Sequence, residues 1–407
     1  MSPQKRFAAD DRGAVLIHVA LGVLALSAFL TIVADFGLMW TARRQAQNSA
    51  DAAALAGAIG LAYDDPSDYS NSGPAKQNAY LTSQTNSVWG QPPYVDISTN
   101  ITFPLIPAAQ CDPEGTGISQ CVRVEVMRNQ ASLNPLPMLF GYILGRQTQN
   151  TRASAVALAA GANTSNCLKP WGVADRWQES GGSPAGPTDT FDPPGDDYRY
   201  PGELGPSDPG TGYKAPPATP NDYGTELTLK VGQPGDAINP GWFQALDLGV
   251  CGHGASCYRD EISGCVNSPY GIGDDAPKKN GNMVGPTAQG VADLIALDPN
   301  AQWDPGTKSI INSCVGPPYT CSQPGYIQSP RVVAIPVFDL ELYIATGGPG
   351  NGTVRIVNIL GFFVDHMGGF HGNDVVGYLI NKKEMIDPTK GNVPLSASFI
   401  KSVMLIR

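Results

Sequence analysis

Between Ala14 and Ala34 the chain runs for 21 residues without an acidic or basic side chain, His18 apart. As a helix rising about 1.5 Å per residue, such a run crosses about 30 Å, the thickness of a bilayer's hydrocarbon core. A cleavable secretory signal has a shorter core of about 7–15 apolar residues before a small-residue cleavage site. The run therefore predicts a retained membrane span, preceded by a leader over 1–13 that carries Lys5, Arg6 and Arg12. Arg43 and Arg44 follow the span, so flanking charge favours a cytoplasmic N-terminus only narrowly.

Cysteine placement weighs on the same side. Cys111, Cys121, Cys167, Cys251, Cys257, Cys265, Cys314 and Cys321 all follow the span, and their even number suits disulfides in an oxidising compartment. Eight cysteines allow on the order of a hundred connectivities. The arrangement with the shortest loops joins Cys111 to Cys121, Cys257 to Cys265 and Cys314 to Cys321, leaving Cys167 for Cys251. Among 407 residues there are 47 Gly and 36 Pro, a load that excludes a mostly helical protein. The net charge of −10 argues against a nucleic-acid partner, which demands a basic surface.

The helix is expected to continue past the span. Thr41 to Leu61 is free of Pro and rich in strong helix formers. Ala42, Ala46, Ala50, Ala54 and Ala58 recur every four residues and lay a small-residue ridge along it. Such a ridge admits close approach by the following unit or by a partner's equivalent helix. Asp35, at the outer end of the apolar run, is costly in lipid unless it snorkels or finds a partner.

The segment from Arg12 to Ala58 resembles the N-terminal segment of the TadE/TadG-like proteins of bacterial tight-adherence (Flp) pilus assembly. The resemblance rests on Arg12-Gly13-Ala14 before the span, Asp35-Phe36-Gly37 at its end, and the block Gln47 to Ala58, NSADAAALAGA after its Gln. It implies a single-pass inner-membrane protein with its C-terminal part periplasmic or at the cell surface. The implied role is a structural or assembly component, its partners being the membrane, other pilus-assembly or pilin-like proteins and, through the N-terminal helix, itself. Prepilin-type processing after Gly13 typically accompanies a Glu at the fifth following position. That position is His18 here, which favours a retained anchor over a filament subunit.

The fold class expected is α+β: the long helix over 14–62, a small α+β unit over 63–162, a Gly/Pro-rich connecting region over 163–230, and a mainly β unit over 231–407. In the first unit, Tyr94–Phe103 and Cys121–Val126 alternate as strands, Leu136–Leu144 suggests a short apolar helix, and Arg152–Leu158 a returning strand. Residues 181–220 are so rich in Gly and Pro that they read as a protease-sensitive excursion or as an ordered irregular loop. Further strands are expected at Leu227–Val231, Arg331–Val337, Thr353–Leu360, Val375–Ile380 and Ser402–Ile406, with a helix at Thr287–Ala296.

Candidate chemistry is sparse, and no catalytic residue, cofactor or metal is assigned. Cys251, His253, Cys257 and Cys265 have zinc-type donors but no tight Cys-x-x-Cys pair, so disulfides account for the cysteines better. Asp365, His366, His371 and Asp374 surround a Gly pair at no metal-site spacing and read as a polar loop between strands. Asp96-Ile97-Ser98 echoes an adhesion-type metal loop, but Pro104 and Pro107 follow where a helix is required. Trp171 and Trp177 read as core packing rather than a recognition patch. The alternatives to an assembly role are a metal-dependent hydrolase built on His253, His366 and His371, and a surface adhesin.

Overall fold

The computed structural model describes residues 12–64, 68–113, 115, 117–141, 145–205, 207–216, 218–233, 235–249, 253–265, 269–313, 329–348, 352–369, 371–387, 389–391 and 393–406. Helix α1, Arg12–Tyr63, is a single uninterrupted helix of 52 residues. No Pro interrupts it, and it stops just before Asp65-Pro66, where the residue ahead of Pro disfavours helical backbone. The chain continues through α2 (Pro74–Thr85), β1 (Ile101–Thr102), the single-turn α3 (Ala108–Cys111) and β2 (Cys121–Arg128). A small hairpin of β3 (Leu136–Pro137) and β4 (Thr148–Gln149) precedes the long β5 (Thr151–Gly161).

The second half begins with β6 (Thr164–Ser165), β7 (Trp171–Ala174), β8 (Glu226–Val231) and β9 (Trp242–Ala245). Next come α4 (Ala255–Ser263), β10 (Tyr270–Gly271), β11 (Asp275–Pro277), α5 (Val284–Ala296), β12 (Gln302–Asp304) and β13 (Ser309–Ile311). The chain closes with β14 (Val332–Phe338), α6 (Leu340–Ala345), β15 (Thr353–Gly368), β16 (Asp374–Leu379), β17 (Lys382–Lys383) and β18 (Ile400–Ile406).

Two sheets organise these elements. The first, in the order β1-β2-β5-β18-β17, is antiparallel except for its β17–β18 edge. Val122, Val124 and Val126 of β2 and Ala153, Ala155 and Ala157 of β5 alternate onto one face, and α1 and α2 share a core with them. The second sheet runs β11-β15-β14-β7-β9-β8-β16, and because β16 also pairs with β15 it closes on itself. Trp171, Phe243, Ile335, Leu360 and Phe362 share one core there with Tyr258 and Ile262 of α4 and Val291 and Leu294 of α5. The α+β class expected from the sequence is the class found.

Several local expectations are corrected. The chain does not divide at 163–230, because that stretch supplies β7 and β8 to the second sheet. Nor is 231–407 separate from the first unit: β18 lies beside β5, with Ser402 opposite Ala160. Leu136–Pro137 is a strand rather than the start of a helix, and 142–144 lie outside the described residues. Of Tyr94–Phe103, only Ile101–Thr102 is strand, because the Asp96 carboxylate turns the chain by accepting the Ser98 and Thr99 N–H groups. Helix α4 was not anticipated.

Residues 181–220 take the ordered alternative. Among its described residues the segment contains no strand, yet it buries Ala185, Phe191, Tyr198, Tyr213 and Ala215. Phe191 stands edge-on to Trp177 at 5.3 Å, and Trp177 is fully buried. Three aromatic side chains supply enough apolar area to hold a chain otherwise poor in aliphatic residues.

Cys111 is bonded to Cys121 and Cys167 to Cys265, and Cys257 is also disulfide-bonded. The Cys167–Cys265 bond excludes the expected pairings Cys257–Cys265 and Cys167–Cys251. Cys251, Cys314 and Cys321 lie outside the described residues.

Candidate functional site

Along α1 the environment changes abruptly. The large apolar side chains from Val15 to Val33 are all at least 52% exposed, while Asp35, Leu38, Ala42 and Ala46 are buried. The helix is long and apolar enough to cross a membrane. Its exposed stretch ends where packing on the first sheet begins.

Ala42, Ala46, Ala50, Ala54 and Ala58 are each at most 1% exposed and belong to the core shared with β2, β5 and α2. The small-residue ridge is therefore covered by this chain's own sheet, not by a partner's helix. Toward its C-terminal end α1 is enclosed on a second side by α2. A Cβ at Gly57 would lie 2.8 Å from Val122 Cγ1, and one at Gly60 only 2.7 Å from Ala75 Cα. Close approach on two sides explains why Ala and Gly dominate this stretch rather than Leu.

Asp35 has a partner that sequence patterning could not name. Its Oδ1 accepts the Leu139 N–H at 2.7 Å and the Phe140 N–H at 3.2 Å, and its Oδ2 also lies 3.2 Å from the Phe140 nitrogen. Two backbone donors thus satisfy a carboxylate that is 3% exposed. The β3–β4 hairpin is tied by this contact to the point where the exposed part of α1 ends. Two further contacts tie the rest of the helix: Gln47 donates to the Ser154 carbonyl, and Gln45 accepts the Trp89 N–H.

The residues considered for metal chemistry do not converge. His253 is 87% exposed and contacts Asp247 Oδ2 at 2.6 Å, while Cys257 and Cys265 are committed to disulfides. His366 Nδ1 meets Asp365 Oδ2 at 2.9 Å, and Asp365 Oδ1 accepts the Trp303 N–H. Among the described residues no group of three His, Cys, Asp or Glu is placed to hold a metal ion. Asp374 lines a cleft of about 980 Å³ together with Arg176, Tyr213, Glu226, Lys230 and Trp242. Trp171 and Trp177 are fully buried, so they form no exposed recognition patch.

Two buried titratable groups beside β7 contribute opposite limbs to the pH dependence of stability. Burial raises the Asp175 carboxyl to about 7, and its Oδ2 has no hydrogen-bond partner. The folded chain then holds a proton that the unfolded chain has lost, so this stability is full below about pH 4 and disappears as pH rises through 7. Burial lowers the Lys169 ammonium to about 7, assisted by the charge of Lys382. Here the unfolded chain holds the extra proton, so stability rises from about pH 7 toward 10. Together these two groups contribute a minimum near neutrality, with limiting slopes of about 1.4 kcal/mol per pH unit on either side. Chemical denaturation across pH should show Asp175→Asn flattening only the acid limb and Lys169→Met only the alkaline one. Unchanged limbs in both variants would contradict the assignment.

No curated protein and no solved structure matches this chain. Residues 13–60, which lie entirely within α1 and include both its exposed run and its buried ridge, match the family model described as putative Flp pilus-assembly TadE/G-like.

Proposed function

We propose that this chain is a single-pass envelope protein that serves as a structural or assembly component of a Tad/Flp-type pilus or related surface machinery. The carrying observation is the division of α1 into an exposed apolar half and a half packed on the chain's own sheet. A core helix of a soluble protein would be buried throughout, whereas a membrane anchor leaves to lipid just such a length of apolar surface. The family match over the same residues supports this choice of machinery, and the disulfides favour an oxidising compartment for everything beyond the span. The N-terminus is read as cytoplasmic and the two sheets as periplasmic or surface-exposed, partnered by other pilus-assembly proteins.

Because the Ala ridge is occupied internally, partners are expected at surfaces other than that ridge. His18 in place of the processing-associated carboxylate favours a retained leader. In membranes of expressing cells the protein should resist alkaline extraction, and protease added to spheroplasts should digest the disulfide-bonded region. Its intact mass should include residues before Ala14. Release by alkali would defeat the anchor; a mature chain starting at Ala14 would place it among processed pilin-like subunits.

A further inference from the structure

The end of the ectodomain nearest the exposed part of α1 carries apolar and basic groups that the anchor alone does not explain. Leu139 and Phe140 are 50% and 38% exposed although Asp35 holds both of their backbone N–H groups. The hairpin that presents them is braced by Met138 N–H to the Gln147 carbonyl and Arg146 N–H to the Gly141 carbonyl. On α1 itself Phe36 and Trp40 are 65% and 55% exposed at the same level, and the Arg44 guanidinium lies 5.1 Å from the Trp40 ring centroid. Aromatic side chains beside arginines are what a membrane–water boundary favours. Just beyond, Arg43, Arg123 and Arg152 line one surface hollow of about 370 Å³, where Arg152 is also paired with Glu125, and Arg146 is exposed on the hairpin. This concentration of positive charge stands on a chain whose net charge is −10.

We propose that the β3–β4 hairpin is a second membrane contact, with Leu139 and Phe140 seated in the headgroup–acyl boundary of an anionic phospholipid bilayer. The arginine hollow receives a lipid phosphate. The proposal rests on the spanning reading of α1. Asp35 is the positioning residue: by fixing the hairpin backbone to the end of the span, it sets the depth at which the two apolar side chains meet lipid. A single helix lets the ectodomain swivel and tilt, whereas a second contact beside it fixes the angle at which the first sheet stands on the membrane. An assembly component that must meet partners in one plane gains from that restriction.

The test uses the full chain in vesicles of phosphatidylglycerol and phosphatidylcholine, with a photoreactive leucine analogue at position 24, 139, 140 or 311. Position 24 lies in the span. Position 311 is on β13, whose partner strand packs Trp303 against Tyr223, a side chain influenced by Asp64 at the opposite end of α1 from the span. Lipid adducts read by mass spectrometry should appear at 24, 139 and 140 and be at least severalfold rarer at 311. Adducts at 24 but none at 139 or 140 would overturn the second contact while leaving the span intact. None at 24 would overturn the span, and this proposal with it. Replacing phosphatidylglycerol by phosphatidylcholine, which keeps the phosphate but loses the net negative charge, should lower the yield at 139 and 140 severalfold but not at 24; equal yields would overturn the anionic-lipid preference assigned to the arginine hollow. Asp35→Ala should likewise reduce labelling at 140 severalfold with position 24 unchanged, and equal labelling would remove Asp35 from its positioning role.

Discussion

Replacing both Cys167 and Cys265 by Ser is expected to destabilise the protein by about 4–5 kcal/mol, because the bond closes a loop of nearly a hundred residues in the unfolded chain. The sequence separation is 98 for this pair and 10 for Cys111–Cys121, whose loss is expected to cost nearer 3 kcal/mol by the same argument. The longer bridge also spans a joint made by other contacts. Lys169, two residues after Cys167, donates through Nζ to the Gly264 and Glu261 carbonyls, so the end of α4 is held to the start of β7 twice. Loss of the bridge should therefore loosen α4 before it affects the first sheet. Denaturation of the full chain in detergent, compared across the two double variants, measures the ranking. A non-reduced peptide map should contain the 167–265 linkage; a larger penalty for the Cys111–Cys121 pair would contradict the loop-length argument.

What the sequence made readable follows from which signals are local. The helix over 14–62 was legible because twenty-one uncharged residues and an uninterrupted Ala-rich continuation leave no alternative to a helix. Alternation likewise exposed β2 and β5, since a strand with one buried face writes a period of two into its own residues. Strands β14 and β15 were instead legible as continuous apolar runs, the pattern of strands buried on both faces. Partners are not written that way. Ser402–Ile406 had a strand pattern, but nothing in it says that β18 joins β5 from more than two hundred residues away. The cysteine pairing failed for the same reason: short loops close easily, yet the sheet that brings Cys167 to Cys265 is a long-range product.

The candidate site was half legible on the same grounds. Asp35 could be identified as a carboxylate in need of a partner, but its donors are the backbone amides of Leu139 and Phe140, and any residue except Pro carries one. The apolar run that presents them, Leu136–Leu144, suggests a short helix from its sequence alone. In the structure it is a hairpin that buries Leu136 and leaves Leu139 and Phe140 exposed. The Ala ridge announced that something approaches α1 closely, while the identity of that something depended on the sheet. For 181–220 the count of Gly and Pro outweighed Phe191, Tyr198 and Tyr213, which are the residues that decide its order.

Ala50→Leu and Ala54→Leu are each expected to cost about 1–3 kcal/mol, since both positions are fully buried where α1 meets the first sheet and α2. The added carbons have no void to enter, so either α1 lifts from β5 or the strands shift beneath it. The two sites lie one turn apart, and the double variant should depart from the sum of the singles because one displacement of the helix relieves both. Gly60→Ala tests the other side: its Cβ would come within 2.8 Å of the Ala75 nitrogen and closer still to Ala75 Cα, backbone atoms that cannot rotate away. Ile59, 47% exposed on the same helix, supplies the control, and Ile59→Ala should change stability by less than about 0.5 kcal/mol. Membrane insertion should persist in every variant because Ala14 to Ala34 is untouched. Pilus assembly and co-purification of partners should fail in the overpacked ones, because the domain no longer stands at its set angle on the anchor. Near-UV circular dichroism melts of the full chain in detergent, read beside membrane fractionation, separate the two effects. Melts of Ala50→Leu and Ala54→Leu that coincide with that of the unsubstituted chain would show that the ridge is not closely packed. Loss of the variants from the membrane fraction would show that packing and insertion are coupled, contrary to the division of α1 into two independent halves.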